Sequence, residues 1–378
     1  MIRKIRFYEL AMSGEYHVEI NSGILLIMSK IYEDYNYQFY GEKKHVTSLL
    51  KRNLSKKINY KAFPFFPKAV LKTIFLRDFC GCMYSILGFF KSKKKDILFF
   101  TNVLPFTHWT IFILNWFFKR DCFICLHGQL EAYIPGNNLR FTRYYFSLQL
   151  PIFKNDKNSK YVIFGDIIYK QIKNIFNNNS KCIVIDHPYI YDYNKLSSIK
   201  LDLPIKIGQI GVGDYGKGTQ FIFKLAELLK PYILESKLKI YLVGKLNEGL
   251  RDLDNGLVEW STEPLSSEDF NSKIEQLHFS LFFRDKTTGT VVASGSFMDT
   301  IKYLKPYLAI DNPYIEYYNN KFPNSGELFG NVEMMALYIS NFIEFSNRNE
   351  YSNKIDSLKA LQDSLSIMTI TQKFKEQL

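Results

Sequence analysis

IKIGQIGVGDYGKGTQFIFKLAELL, residues 205–229, decides the fold. An apolar, isoleucine-rich run from Ile205 to Ile210 gives way to glycines at 211, 213, 216 and 218, and a helical pattern follows from Thr219 to Leu229. Buried strand, tight turn and amphipathic helix form the repeating unit of a parallel sheet, whose strands need a crossover to return. Glycines let backbone amides approach an anion closely, and a helix N-terminus adds its positive dipole end. Lys217 supplies a full charge. The turn is not a Walker A loop, because Gly218 rather than Ser or Thr follows Lys217, nor is it a convincing dinucleotide fingerprint.

A second turn of the same kind lies in VVASGSFMDTIKYLKPYLAI, residues 291–310. With Ser294 as N-cap, the amides of Gly295 and Ser296 open an anion site at a helix start. Asp299 falls four residues after Gly295, one helical turn along on the same face. That spacing suits a diphosphate at the helix tip and a ribose diol a turn below, since one carboxylate can accept from both hydroxyls.

Outward from these turns, strand-like and helix-like stretches alternate through the chain. In the first half KIRFYEL, YQFYG, DILFF, CFICL, YVIFG and KCIVI predict strands, and LKIYLVG, HFSLFF and YLAI follow in the second. A chain of 378 residues exceeds one ordinary core. The expected architecture is α/β, two Rossmann-like domains facing a central cleft. The boundaries fall at 1–190, a polar linker at 191–204, a second domain at 205–360, and a C-terminal helix at 361–378 that packs back on the first domain. The apolar stretch Ile97 to Phe118 carries Asn102, Pro105, His108 and Asn115, which argues for strand, turn and buried helix rather than a membrane span.

The charge is uneven. Of 49 Lys+Arg and 37 Asp+Glu, residues 1–190 hold 28 and 13, a net of +15, which leaves 21 and 24, or −3, for the rest. The basic half is expected to meet something anionic, a membrane surface before nucleic acid, since no recognition helix or RNA-binding signature is present. Five cysteines and no secretory signal predict a reducing, cytoplasmic setting. Cys122 and Cys125 stand three apart on a strand and so point to opposite faces, which excludes a metal clip; no metal site is expected.

The two turns together resemble the glycosyltransferases of the GT-B fold, particularly the family 4 type of bacterial capsule and O-antigen (lipopolysaccharide) assembly. Gly211, Lys217 and Gly218 match that family's G-R-x-x-x-x-K-G turn, and Asp299 stands at the second acid of its E-x7-E stretch, seven residues before Pro306. The likeness covers residues 205–320. It implies a nucleotide-sugar-dependent enzyme without a required metal or cofactor. The donor site is Gly211, Gly213, Lys217, Arg284, Ser294, Gly295, Ser296 and Asp299, with Lys217 on the diphosphate and Asp299 on the ribose; Lys286 adds charge beside Arg284. Val212 replaces the family arginine, and Val291 occupies the first acid's place. Those departures keep two other readings open, an inactive GT-B-like scaffold and a GT-B-like sugar-nucleotide epimerase, for which the second half offers only His278.

By the same resemblance residues 1–190 bind the acceptor, a glycan or undecaprenyl-diphosphate-linked oligosaccharide, from a peripheral position on the inner membrane face. Candidate bases are His17 and Glu19, in the stretch 13–21, and His127, in Cys125-Leu-His127-Gly128-Gln-Leu-Glu131; both stretches follow strands, where open α/β sheets place their sites. Aromatics at Phe63, Phe65, Phe66, Phe89 and Phe90 lie among the lysine clusters, most of them as core.

Overall fold

The structure, a computed structural model, describes every residue except 1–2, 56, 69, 128–129, 131–132, 134–139, 179, 192–200, 285–290 and 346–347. It divides into two compact units. The first comprises residues 1–190, 291–293 and 365–378, and the second 191–290 and 294–364.

The first unit opens with β1 (Lys4–Glu9), α1 (Val18–Ile31), β2 (Asn36–Gly41), α2 (Lys43–Lys51) and β3 (Ile58–Ala62). It continues through α3 (Ile74–Lys91), β4 (Ile97–Asn102), α4 (Pro105–Phe118) and β5 (Asp121–Leu126). The helices α5 (Arg140–Ser147) and α6 (Leu150–Asn155), then β6 (Ser159–Phe164), α7 (Asp166–Ile172) and β7 (Lys181–Ile185), complete its sheet. All neighbours pair in parallel, in the order β3-β2-β1-β4-β5-β6-β7. Helices cover both faces, so central strands bury nearly every residue, as β4 does with ILFFTN. Phe7, Phe39, Phe99 and Phe123 stack from strand to strand through that core.

The second unit runs β8 (Ile205–Ile210), α8 (Gln220–Leu228), α9 (Lys230–Leu234), β9 (Leu238–Lys245), β10 (Val258–Ser261), α10 (Ser267–Glu275) and β11 (Phe279–Phe282). Then come α11 (Gly295–Lys302), β12 (Tyr307–Ile310), α12 (Pro313–Lys321), β13 (Gly326–Phe329), α13 (Val332–Phe345) and α14 (Arg348–Ser364). Its parallel sheet has the order β10-β9-β8-β11-β12-β13. The last helix, α15 (Ile367–Lys375), packs on α1 and β7 of the first unit, where Ile370 and Phe374 enter the core.

Each sheet starts at its middle, builds outward to one side, and restarts on the other. Strand order therefore reverses between β1 and β4 in the first unit and between β8 and β11 in the second. At such a reversal the crossovers leave in opposite directions, and a crevice opens beyond the carboxyl ends of the two strands. The topology thus points to one candidate site in each unit.

Within the first unit α3 and α4 form a tight pair. No side chain of its own caps α4, whose N-cap is Leu104. Asp78 of α3 does so instead, accepting from Phe106 N at 2.8 Å and from Thr107 N and Oγ1 at 2.6 Å each. A β-carbon on Gly81 would lie 2.2 Å from Thr107 Oγ1, so glycine is what lets the helices approach this closely.

Candidate functional site

In the second unit β8 is followed at once by Gly211, whose φ of 95° is costly for any residue with a β-carbon. A single 3-10 turn, Tyr215–Lys217, precedes α8. Asp214 caps it, its Oδ1 accepting from Lys217 N at 2.8 Å. The turn folds Lys217 back over the strand end: a β-carbon at Gly211 would sit 2.8 Å from Lys217 Nζ. Gly218, at φ 69°, passes so close to Phe283 that a β-carbon would meet Phe283 O at 2.6 Å. These glycines therefore pin the loop against the end of β11, at the strand-order reversal. Arg284, one residue on, donates from Nε to Gly216 O at 3.2 Å.

Burial lowers the pKa of Lys217; the field of Asp214 opposes this, Arg284 lowers the pKa further, and Asp299 raises it. The ammonium thus sits in a partly dry place where burial outweighs the fields of the two carboxylates, and a bound anion there would favour its charged form. Arg284 and Asp299 thus both act electrostatically on Lys217. Ser294 caps α11, its Oγ accepting from Phe297 N at 3.3 Å and meeting Ser296 Oγ at 3.1 Å. Nothing lies within 4 Å of a β-carbon built on Gly295, so the helix tip is open. Gly213 is a packing glycine, with Leu242 Cδ2 at 2.7 Å from its would-be β-carbon. His278 is structural: its Nδ1 accepts from Lys206 N at 2.8 Å. Lys286 lies outside the described residues.

In the first unit the crevice between β1 and β4 holds a buried acid that the motifs did not single out. Glu9, the last residue of β1, is fully buried. Its Oε1 accepts from the amides of Ala11 and Met12 at 3.1 and 3.0 Å. Its Oε2 accepts from Thr101 Oγ1 at 2.9 Å and Asn21 Nδ2 at 3.1 Å. His17 Nδ1 stands 3.6 Å from that oxygen, beyond hydrogen-bond distance. Burial alone would raise the Glu9 pKa; His17, the field of His45 and the Asn21 amide outweigh it and hold the carboxyl well below the usual carboxylate range.

His17 has φ 66° at the N-cap of α1, a left-handed backbone that costs about 1 kcal/mol or more outside glycine. Asn21 Nδ2 also meets His45 Nε2 at 3.0 Å, and His45 Nδ1 donates to Gly14 O at 3.0 Å. One hydrogen-bond chain thus ties the loop carrying His17 to α1 and α2. The His17 and His127 rings stack at 4.4 Å, and His127 Nε2 donates to Thr101 O at 2.8 Å. Burial and then the field of His17 push the His127 pKa well below its ordinary value. His17 and His127 therefore meet, whereas Glu19 is bound to Arg52 in a surface ion pair. Gly128, Gln129 and Glu131 lie outside the described residues. Among the described residues no three His, Cys, Asp or Glu side chains converge as metal ligands.

No protein-family model matches the chain, and no curated protein matches its sequence. Solved structures do match its fold. HepE of Anabaena in complex with UDP is 13% identical with a TM-score of 0.67, over 99% of this chain and 98% of that one. Sucrose-phosphate synthase from Thermosynechococcus elongatus is 10% identical with a TM-score of 0.69, over the same shares. A UDP-forming alpha,alpha-trehalose-phosphate synthase from Burkholderia vietnamiensis is 8% identical with a TM-score of 0.64, over 100% and 97%. These are glycosyltransferases of the GT-B class, and the chain has their fold.

Proposed function

We propose that the protein is a glycosyltransferase that takes a sugar from a nucleotide-sugar donor bound in the second unit. The observation that carries this reading is the seat of Lys217 over Gly211, with Arg284 and Asp299 within its field. In this reading Lys217 and Arg284 meet the donor diphosphate, the open amides at Gly295 and Ser296 add partial positive charge, and Asp299 receives the ribose hydroxyls. Two full cations and a helix tip supply the charge that a metal ion would otherwise bring, so none is required. HepE in complex with UDP-glucose, which shares the fold at 14% identity, supports the donor class.

His17 is the base for the acceptor hydroxyl. Glu9 faces its Nδ1 and stabilises the imidazolium formed when Nε2 takes the proton, a task for which a carboxylate held ionised is suited. The acceptor is a glycan or undecaprenyl-diphosphate-linked oligosaccharide of bacterial capsule or O-antigen assembly, family 4-like, met at the inner membrane face. A scaffold without activity is the second reading. Val291, where the related enzymes carry an acid, is buried, so it packs and offers nothing to a sugar.

Thermal unfolding with UDP, GDP and dTDP separates the two, followed by hydrolysis of a nucleotide-sugar panel. At least one nucleotide is expected to raise Tm, and Lys217→Ala and Asp299→Ala are each expected to abolish that shift. No stabilisation by any of them selects the scaffold, and wild-type turnover in both variants sinks the site.

A further inference from the structure

We infer that the α3–α4 pair of the first unit is an interfacial membrane-docking face for anionic lipid. Phe75, Phe79, Met83, Leu87 and Phe90 are all exposed on α3, with Phe79 at 63% and Phe90 at 69%. At ~100° per residue they span about 120° of one helix face. On α4, Phe106, Ile113 and Phe117 fall within about 40° of one another at the same step, and Trp116 beside them is 60% exposed. Isolated exposed apolar residues are ordinary, but two adjoining aromatic stripes on paired helices are not.

The surrounding charge selects the occupant. Residues 61–120 contain ten Lys+Arg and two acids, Asp78 and Asp96. Both acids are buried, at 0% and 2% exposure, so this region shows no carboxylate to solvent. Asp78 is consumed in capping α4, and Asp96 pairs with Arg6 at 3.3 Å. Lys68 and Lys72 precede the α3 stripe, while Lys91, Lys93, Lys94 and Lys95 follow it, all of them exposed. An apolar band bracketed by lysines with no exposed acid fits headgroup phosphates with acyl chains beneath them. It is a poor fit to a second copy of itself, since a two-fold contact would set lysines against lysines. Among the described residues no helix is long and apolar enough to cross a membrane, so the face would lie in the interface rather than span it. Rigidity follows from the Asp78 cap and the close approach at Gly81, which hold the two stripes side by side.

The inference rests on the proposed lipid-linked acceptor only for its purpose, and its test uses no nucleotide. The full chain is sedimented with phosphatidylglycerol-containing vesicles and with phosphatidylcholine vesicles. About a tenfold or greater preference for the anionic vesicles is expected, falling as salt rises. Combined Lys93→Ser, Lys94→Ser and Lys95→Ser should weaken that binding about a hundredfold, at roughly a factor of five per lysine. Phe79→Ser with Phe90→Ser should weaken it while leaving Tm and any nucleotide stabilisation unchanged, because both side chains already face water. Brominated acyl chains should quench Trp116 fluorescence, and Trp116→Phe should remove that quenching. Indifference to lipid charge, absence of quenching, or a solution dimer that the Phe79→Ser, Phe90→Ser variant dissolves would each overturn the proposal. Nucleotide stabilisation without vesicle binding rejects the docking face alone, and the reverse pattern rejects the donor site alone.

Discussion

At the scale of single residues, the first unit buries histidines held neutral beside an acid, Glu9, held ionised. Burial first, then the field of His17, pushes the His187 pKa down to about 3, and burial pushes that of His108 down to about 4. Both are folded-state values below the unfolded one, so acidification charges these groups only in the unfolded chain. Stability is therefore present above pH ~6.5 and lost as pH falls below it, at about 2 kcal/mol per histidine by pH 5. The Glu9 contribution runs the same way but in a lower window: its depressed pKa stabilises the fold above ~4.3 and is lost only below that. Urea unfolding from pH 7 to 5 should thus show the histidine loss alone, and His187→Gln should flatten the slope. A stability that is flat across that range would refute the assignment. Glu9→Gln tests the proposed base separately, because an amide cannot stabilise an imidazolium. Transfer should slow about 100-fold while the nucleotide-induced Tm shift stays intact. None of this was visible in Glu9 itself, which ends an apolar strand pattern like any edge residue. Its surroundings appear only once strand order places Thr101 and His17 around it, whereas the two turns that carry Lys217 and Asp299 are legible because glycine turns and helix caps are local in sequence.

At the scale of elements, legibility follows the same division between local and distant causes. Strands such as Ile97–Asn102 announced themselves as unbroken apolar runs, because a central parallel strand is buried on both faces. The edge strand Ile58–Ala62 has the burial of a surface element and no such pattern, so nothing local in the sequence marks it. The helix Ile74–Lys91 is equally hard to read from sequence. Its exposed aromatics blur the usual amphipathic contrast, and the capping acid sits within it rather than at its start. That acid yields a prediction about packing. Asp78→Ala leaves the first amides of α4 without their acceptor and removes the carboxylate partner of the Tyr145 hydroxyl, while the Thr107 hydroxyl keeps only the backbone oxygen of residue 78. With several buried donors orphaned, the loss should be roughly 3 kcal/mol or more in urea unfolding followed by far-ultraviolet circular dichroism. Asp78→Asn keeps an oxygen acceptor and should recover part of it. A change under about 0.5 kcal/mol, the ordinary surface range, would mean that α4 does not depend on this cap.

At the scale of the whole molecule, the chain leaves the first unit at 190, contributes residues 291–293 to it in passing, and returns to it for good at 365. The last fourteen residues are therefore structural to the first unit although they are synthesised after the second. Ile370 and Phe374 are buried at 1% and 0% in its core, and Lys373 pairs with Asp166 and Asp186 at 3.2 and 3.3 Å. Gln377 ties in through its side chain, which accepts from Val184 N at 2.8 Å and donates to Val184 O at 2.9 Å. Ending the chain at Ser364 uncovers that apolar surface. Two buried large side chains at roughly 2 kcal/mol each put the loss near 4 kcal/mol or above, before the ion pairs are counted. Intrinsic fluorescence can assign the loss, since Trp109 and Trp116 lie in the first unit and Trp260 in the second. A truncated chain carrying Trp109→Phe and Trp116→Phe reports on the second unit through Trp260, and one carrying Trp260→Phe reports on the first. The first reporter should keep its midpoint and its response to nucleotide, while the second should unfold at lower denaturant. Equal losses in both would show that the closing helix serves the second unit as much as the first, and no loss in either would show that its burial contributes nothing to stability.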